Sequence, residues 1–400
     1  MTKALFVHDH PFFEKQELFY SQGGLPSYVW IRYLQSFDEI TVFGRQLKGI
    51  KSIERLVMSS RKNVTFELSR YYFRPKDLFF NFYSINKEIS KSLGKVDAAI
   101  IRLPSVLGLL AVYNCISMKK PYILEVVGDA SDATSTFSPI LRTYGKILNI
   151  LIKKVVKGAP YVVYVTKEYL QKKFPTDGTT VSISNVRVED LDDQVLAKRI
   201  KKIETMPEGK FVIGLIGSMN VRYKGHTELL HAVSEIGNRY GIHDISIRFV
   251  GQGDYKWIEN LAQELGLSNV EIVGQLAGDE IPHFIDSIDV YVHPSRAEGL
   301  PRVIMEAFSR GCPVLASDAG GIFEILDPND IHKAGDVNQL CFDLLRVYRN
   351  RNEMMKMAIE SFKRVASFQE KKLNEKRKVI FDKFLLDNRI DVKAQSYISE

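Results

Sequence analysis

Two glutamates, Glu298 and Glu306, are separated by seven residues in the stretch HPSRAEGLPRVIMEAFSRGCPVLASDAGG, which runs from His293 to Gly321. Carboxylates accept hydrogen bonds from sugar hydroxyls and repel phosphate, whereas the free N–H groups at a helix N-terminus attract phosphate. A pair of acids flanking a helix start therefore suits a ligand whose hydroxyl-bearing groups surround a phosphate, such as a nucleotide sugar. The elements that would position the pair are legible around it. DVYVHP, Asp289 to Pro294, is a β-branched and aromatic run closed by proline, and reads as a strand. Pro301 suits the first helical position and Gly311 a left-handed C-terminal cap, which predicts a helix from Pro301 to Arg310 followed by a second strand, PVLAS. This βαβ unit puts Glu298 in the strand-to-helix loop and Glu306 in the helix, near the carboxyl ends of the strands where ligands of open α/β sheets collect.

Weaker candidates lie in the first half. In YSQGGLPSYVWIRYL, Gly23 and Gly24 precede a helix starting near Pro26, where the backbone can approach a ligand closely. His8, Asp9 and His10 stand at the mouth of the first strand, and Asp129 follows the strand PYILEVVG as either a polar site group or a helix N-cap. His8–Asp9–His10 lacks a third spaced ligand, so no metal is expected.

At 400 residues the chain is long enough for two cores. Its first half alternates strands (ALFVH, EITVFG, AAIIRLP, PYILEVVG, YVVYVT) with helical patterns. Val186–Lys210 is polar and reads as a linker, and a second alternating series follows (FVIGLIGS, ISIRFVGQG, VEIVGQL, DVYVHP, PVLAS). This predicts an α/β chain with an N-terminal domain over 1–200 and a C-terminal domain over 201–364, and a charged helix over about 365–400 that packs back on the first domain. The net charge of +7 is compatible with anionic ligands or an anionic membrane and carries no nucleic-acid signature. Cys115, Cys312 and Cys341 are odd in number and lack metal spacing, so reduced thiols are expected. The start has no signal-peptide pattern, and the apolar stretch Leu103–Ile116 is too short to span a bilayer, so a cytoplasmic location is expected. LRTYGKILNILIKKVVKGAP, Leu141 to Pro160, reads either as an ordinary amphipathic helix with a lysine edge or as one that lies on the inner face of the cell membrane.

With its two Rossmann-like halves and the EGLPRVIMEA loop and helix, the sequence resembles the family 4 retaining glycosyltransferases of the GT-B fold, in particular those of bacterial cell-surface polysaccharide assembly. The resemblance covers nearly the whole chain. It implies two doubly wound domains facing across a cleft, and transfer from a UDP- or GDP-linked sugar to a glycan or lipid-linked glycan, without cofactor or metal. It implies that Glu298 meets the donor sugar and Glu306 the ribose, with Gly299, Leu300 and Pro301 along the sugar and diphosphate. Lys224, in LIGSMNVRYKGHTELLHAV, stands where the family binds the leaving diphosphate. Gly23 and Gly24 would meet the donor, and His8 and His10 the acceptor. The chain departs from the pattern twice. Ser218 replaces a family arginine, leaving Arg222 as the nearest substitute, and Gly128-Asp129 replaces a family histidine near the reacting sugar, a place Asp129 could take over. A nucleotide-sugar-binding protein without transferase activity, or another GT-B enzyme such as an epimerase, is the alternative.

Overall fold

The computed structural model describes residues 1–21, 24–47, 56–70, 77–134, 139–186, 188 and 191–391. It forms two compact units, one of Met1–Ala130, Lys146–Ile183 and the chain from Leu373 onward, the other of Ser131–Gly145 and Ser184–Lys372.

The first unit contains strands β1 (Lys3–Lys15), β2 (Leu18–Ser21), β3 (Glu39–Gln46), β4 (Val57–Met58), β5 (Val64–Ser69), β6 (Ala98–Leu103), β7 (Tyr122–Val126), β8 (Tyr161–Tyr164) and β9 (Thr179–Ser182). Its parallel part runs β5-β3-β1-β6-β7-β8-β9, and the far end of β1 folds into an antiparallel hairpin with β2, which also pairs with β4. Strand alternation divides β1 between two cores. Leu5 and Val7 face Ile85, Ile89, Leu107, Leu110, Ile152 and Val156, while Ala4 and Phe6 face Trp30, Tyr33 and Phe37. The helix Glu370–Asp387 closes the second core with Leu373, Ile380, Phe381, Phe384 and Leu385, a helical spacing that its many lysines obscure in the sequence. β1 continues well beyond ALFVH because its register with β3 shifts between Val7 and Pro11, an irregularity that accommodates the proline. His8, Asp9 and His10 occupy that interruption.

The second unit is a parallel sheet of β10 (Phe211–Ile216), β11 (Ile245–Val250), β12 (Val270–Gly274), β13 (Val290–His293), β14 (Val314–Ser317) and β15 (Ile331–His332), in the order β12-β11-β10-β13-β14-β15. The direction of winding reverses between β10 and β13, the kind of switch point beside which open α/β sheets bind ligands. Much of the segment expected as a linker is a helix, Asp193–Glu204, capped by Asp192. Leu196, Ile200 and Ile203 pack it on a core of the second unit, and Arg199 donates to the Ile285 and Ile288 carbonyls. The division accordingly falls at Ile183/Ser184, ahead of the 200/201 boundary drawn from composition. Among the described residues no helix is long and apolar enough to cross a membrane.

Candidate functional site

Two loops leave the adjacent strands β10 and β13 at the switch point. From β10 the chain passes through a single 3-10 turn, Arg222–Lys224, and Gly225 before the helix His226–Tyr240. Gly225 sits at φ +83°, and a Cβ there would lie 2.3 Å from the Pro294 carbonyl oxygen, so only glycine lets the two loops meet. The second loop leads from β13 to the helix Arg302–Ser309, with Pro301 at its N-cap and Gly311 left-handed just past its end. The helix is one residue shorter at each end than the sequence suggested. The loops are stitched together where Arg296 N–H donates to the Tyr223 carbonyl at 2.7 Å and Ser295 Oγ donates to the same oxygen at 3.1 Å. A third loop, after β14, braces them. Gly320, at φ +62°, packs so closely that a Cβ would stand 2.1 Å from the Glu298 carbonyl oxygen, and Gly321 N–H donates to Gly299 O at 2.8 Å.

This frame holds Lys224 and Glu298 together. Lys224 Nζ donates to Glu298 Oε1 at 2.7 Å, and His293 Nε2 meets the same oxygen at 2.9 Å. Because a carboxylate can only accept, His293 carries its proton on Nε2, and Tyr291 OH, 2.9 Å from Nδ1, completes a chain of donors. Burial alone would raise the Glu298 pKa, but the neighbouring His293 and Lys224 prevail and hold it at about 2. Glu298 Oε2 makes no hydrogen bond among the described residues, which leaves one oxygen of a fixed carboxylate open.

Glu306 lies in the second turn of the helix, partly buried, and its carboxylate has no hydrogen-bond or ion-pair partner among the described residues. Burial raises its pKa, only partly offset by Arg302. Burial likewise pushes Tyr291 well above the usual phenol value, and the charges of Glu298 and Glu306 both add to the effect. No side chain caps the helix Arg302–Ser309, so its first-turn N–H groups are free for an anion. Leu300 is half-buried and Pro301 buried at its mouth. Ser218 Oγ is 3.4 Å from both Gln252 O and Asn220 N. Arg222 does not reach toward Glu298; its guanidinium stacks 3.6 Å over the Trp257 ring.

In the first unit, Gly24 lies against His10, where a Cβ would come within 2.7 Å of the imidazole Cε1, while Gly23 is outside the described residues. Asp9 accepts from Val106 N and Leu107 N at 2.7 and 2.9 Å, so it caps the helix Val106–Met118 and is not free to join a metal set with the two histidines. His8 Nδ1 and His10 Nε2 are buried without a hydrogen-bond partner among the described residues. Burial and then the charge of Arg102 lower both histidines, His10 to about 4, so both rings are neutral near neutral pH. Asp129 is spoken for. It is buried, accepts from Asn149 Nδ2 at 2.8 Å and pairs with Lys173 at 2.7 Å, which ties the end of β7 to the helices that follow. The sequence reading missed Tyr291, His293 and Gly320. Their signal was a pair of polar-tipped rings two residues apart on one face of a fully buried strand, and a Gly-Gly two residues beyond the end of another.

Residues 210–350 match the family described as Glycosyl transferases group 1. Over 398 residues the chain is 33% identical to Protein CapJ of Staphylococcus aureus, covering 96% of this chain and 98% of that protein. Sulfoquinovosyl transferase SQD2 of Arabidopsis thaliana is 35% identical over 137 residues, 34% of this chain and 25% of that protein. Among solved structures, sucrose-phosphate synthase from Thermosynechococcus elongatus has a TM-score of 0.71 at 16% identity, over 97% of this chain and 100% of that one. Anabaena HepE in complex with UDP-glucose has a TM-score of 0.65 at 16% identity, over 94% of this chain and 98% of that one. At that identity the structural likeness is one of fold, and the fold is GT-B. With a relative matched from end to end, a family model over the unit that holds Lys224 and Glu298, and a GT-B architecture, the chain belongs to the group 1 glycosyltransferases.

Proposed function

We propose that the protein is a retaining glycosyltransferase that moves a sugar from a UDP- or GDP-linked donor to a glycan or lipid-linked glycan in the cytoplasm, without a metal ion. The observation that carries this reading is the Glu298 carboxylate, whose Oε1 is held by Lys224 and His293 while Oε2 stays open beside an uncapped helix N-terminus. Oε2 accepts a hydroxyl of the donor sugar, the helix N–H groups and Lys224 take the diphosphate, and the unpartnered Glu306 accepts the ribose hydroxyls. Two relatives support a nucleotide-sugar donor: the HepE structure contains UDP-glucose, and a GDP-mannose-dependent alpha-mannosyltransferase of Mycolicibacterium smegmatis is 27% identical over 122 residues.

In the transfer step the bond from the anomeric carbon to the phosphate oxygen breaks, and the acceptor oxygen bonds to the same face of the sugar. The leaving phosphate takes the acceptor's proton, so the step needs no protein base, in keeping with the engagement of Asp129 elsewhere. Lys224 stabilises the growing negative charge from a position fixed beforehand. His8 and His10, neutral and with unsatisfied ring nitrogens, are assigned to the acceptor's hydroxyls.

The test is nucleotide release from UDP-, GDP- and ADP-sugars by the wild type and by Lys224→Ala. Release from one donor that the variant loses supports the proposal. Donor binding by calorimetry without any release, across a panel of glycan acceptors, would favour a binding protein instead, and absence of binding would refute the reading.

A further inference from the structure

The helix Pro139–Lys157 is apolar on two sides. One side, with Ile152, Val155 and Val156, is buried in the first-unit core. On the other, Ile147 is 54% exposed, Ile150 67% and Leu151 38%, three large aliphatic side chains in water within five residues. At 3.6 residues per turn, Lys146, Lys153 and Lys157 border this strip and Lys154 lies within it, one turn beyond Ile150. In 19 residues the helix has Arg142 and these four lysines and no acidic residue. None of the five cations has an ion-pair partner among the described residues. The helix Glu370–Asp387 is as rich in lysine but interleaves acids with it, pairing Lys378 with Asp382 and Lys383 with Asp387. The helix with the exposed isoleucines has no acid of its own to offset its charge. On the same side of the first-unit sheet, the helix Asp77–Leu93 leaves Phe80 84% and Tyr83 78% exposed, one turn apart.

We propose that this face docks on an anionic lipid surface, with Ile147, Ile150 and Leu151 entering the interface and the lysines meeting the headgroup phosphates. Both halves of the pattern fit such an occupant, since apolar burial and attraction to anionic headgroups add. A second copy of the chain does not fit. A two-fold interface would set the same lysines against one another without an acid on the helix to separate them. The inference deepens the reading of a lipid-linked acceptor, whose sugar has to be reached at a bilayer.

The experiment is co-sedimentation of the full chain with vesicles of phosphatidylcholine alone or mixed with phosphatidylglycerol. It compares the wild type, Ile147→Ser/Ile150→Ser, Lys153→Glu/Lys154→Glu and the control Lys376→Glu, with nucleotide release measured on each without vesicles. The wild type and control are expected to bind only the anionic vesicles. Each double variant should lose at least about tenfold in partitioning while nucleotide release stays unchanged. Equal binding to both vesicle types, or double variants that bind like the wild type, would overturn the proposal. So would a wild-type dimer that the isoleucine variant dissolves. Because nucleotide release is read separately, failure of the transferase reading would show as no release from any donor, whatever the vesicles do.

Discussion

Replacing Glu298 by glutamine changes one oxygen to an amide nitrogen and tests how the carboxylate divides its work. Lys224 and His293 both donate to the same oxygen, so the glutamine must present its carbonyl to them. Its NH2 group is then forced into the position of Oε2, where the sugar hydroxyl proposed to find an acceptor in the wild type would meet a donor. Loss of a hydrogen bond to a charged group costs about 1.5–3 kcal/mol, so kcat/KM should fall roughly ten- to a hundredfold. Stability supplies an independent reading. With Glu298 lowered from 4.5 to about 2, the charged carboxylate contributes about 3 kcal/mol at neutral pH. A depressed acid stabilises the fold above its unfolded value, and that contribution is lost as pH falls through the folded one. In urea titrations the wild type should exceed Glu298→Gln by a constant amount above pH 4.5, a gap that closes toward pH 2. A gap that is absent at neutral pH, or that widens in acid, would refute the ion-pair account. Full nucleotide release by the variant would refute the role of Oε2.

Glu306→Gln should move stability and function in opposite directions. The folded state raises its pKa, so the charged form costs stability once pH exceeds the ordinary carboxylate value. The variant should be more stable than the wild type at neutral pH yet bind the donor more weakly, and its donor KM should lose the rise that the wild type shows as acid protonates Glu306; tighter binding by the variant would count against a ribose role. Gly320→Ala should cost at least about 1 kcal/mol from the left-handed backbone alone, and more from the clash with the Glu298 carbonyl. Calorimetry should show a lower Tm together with lower kcat/KM. Asp129→Asn should lower stability by about 1–3 kcal/mol through its contact with Lys173 while leaving kcat near wild type; a large fall in kcat with unchanged stability would return Asp129 to the chemistry.

The strands and the Glu298–Glu306 unit were legible because buried parallel strands are continuous apolar runs, and because Pro301 and Gly311 punctuate the helix between them. Lys224 was legible only through its motif, since nothing local distinguishes it from a surface lysine. The helix Asp193–Glu204 was hidden because Leu196, Ile200 and Ile203 are scattered among charges and Arg199 is buried through its hydrogen bonds to carbonyls of another segment. The role of His293 could not be read, because its value depends on a carboxylate five residues away being folded back onto it. The partners of Asp129 could not be read either, because Asn149 and Lys173 are distant from it in sequence.

The three loops around Glu298 brace one another largely through main-chain carbonyls: Tyr223 with Ser295 and Arg296, Gly225 against Pro294, Gly320 against Glu298 and Gly321 with Gly299. A carbonyl is present whatever side chain its residue bears, so the scaffold does not depend on the identity of those residues except at the glycines and at Ser295, whose hydroxyl is a donor. Leu300 could therefore be exchanged without displacing the Glu298 carboxylate. For redesign, the recognition surface and the frame are separable. Libraries confined to the mouth of the helix, with Gly225 and Gly320 held constant, offer a route to new donor sugars on an unchanged frame.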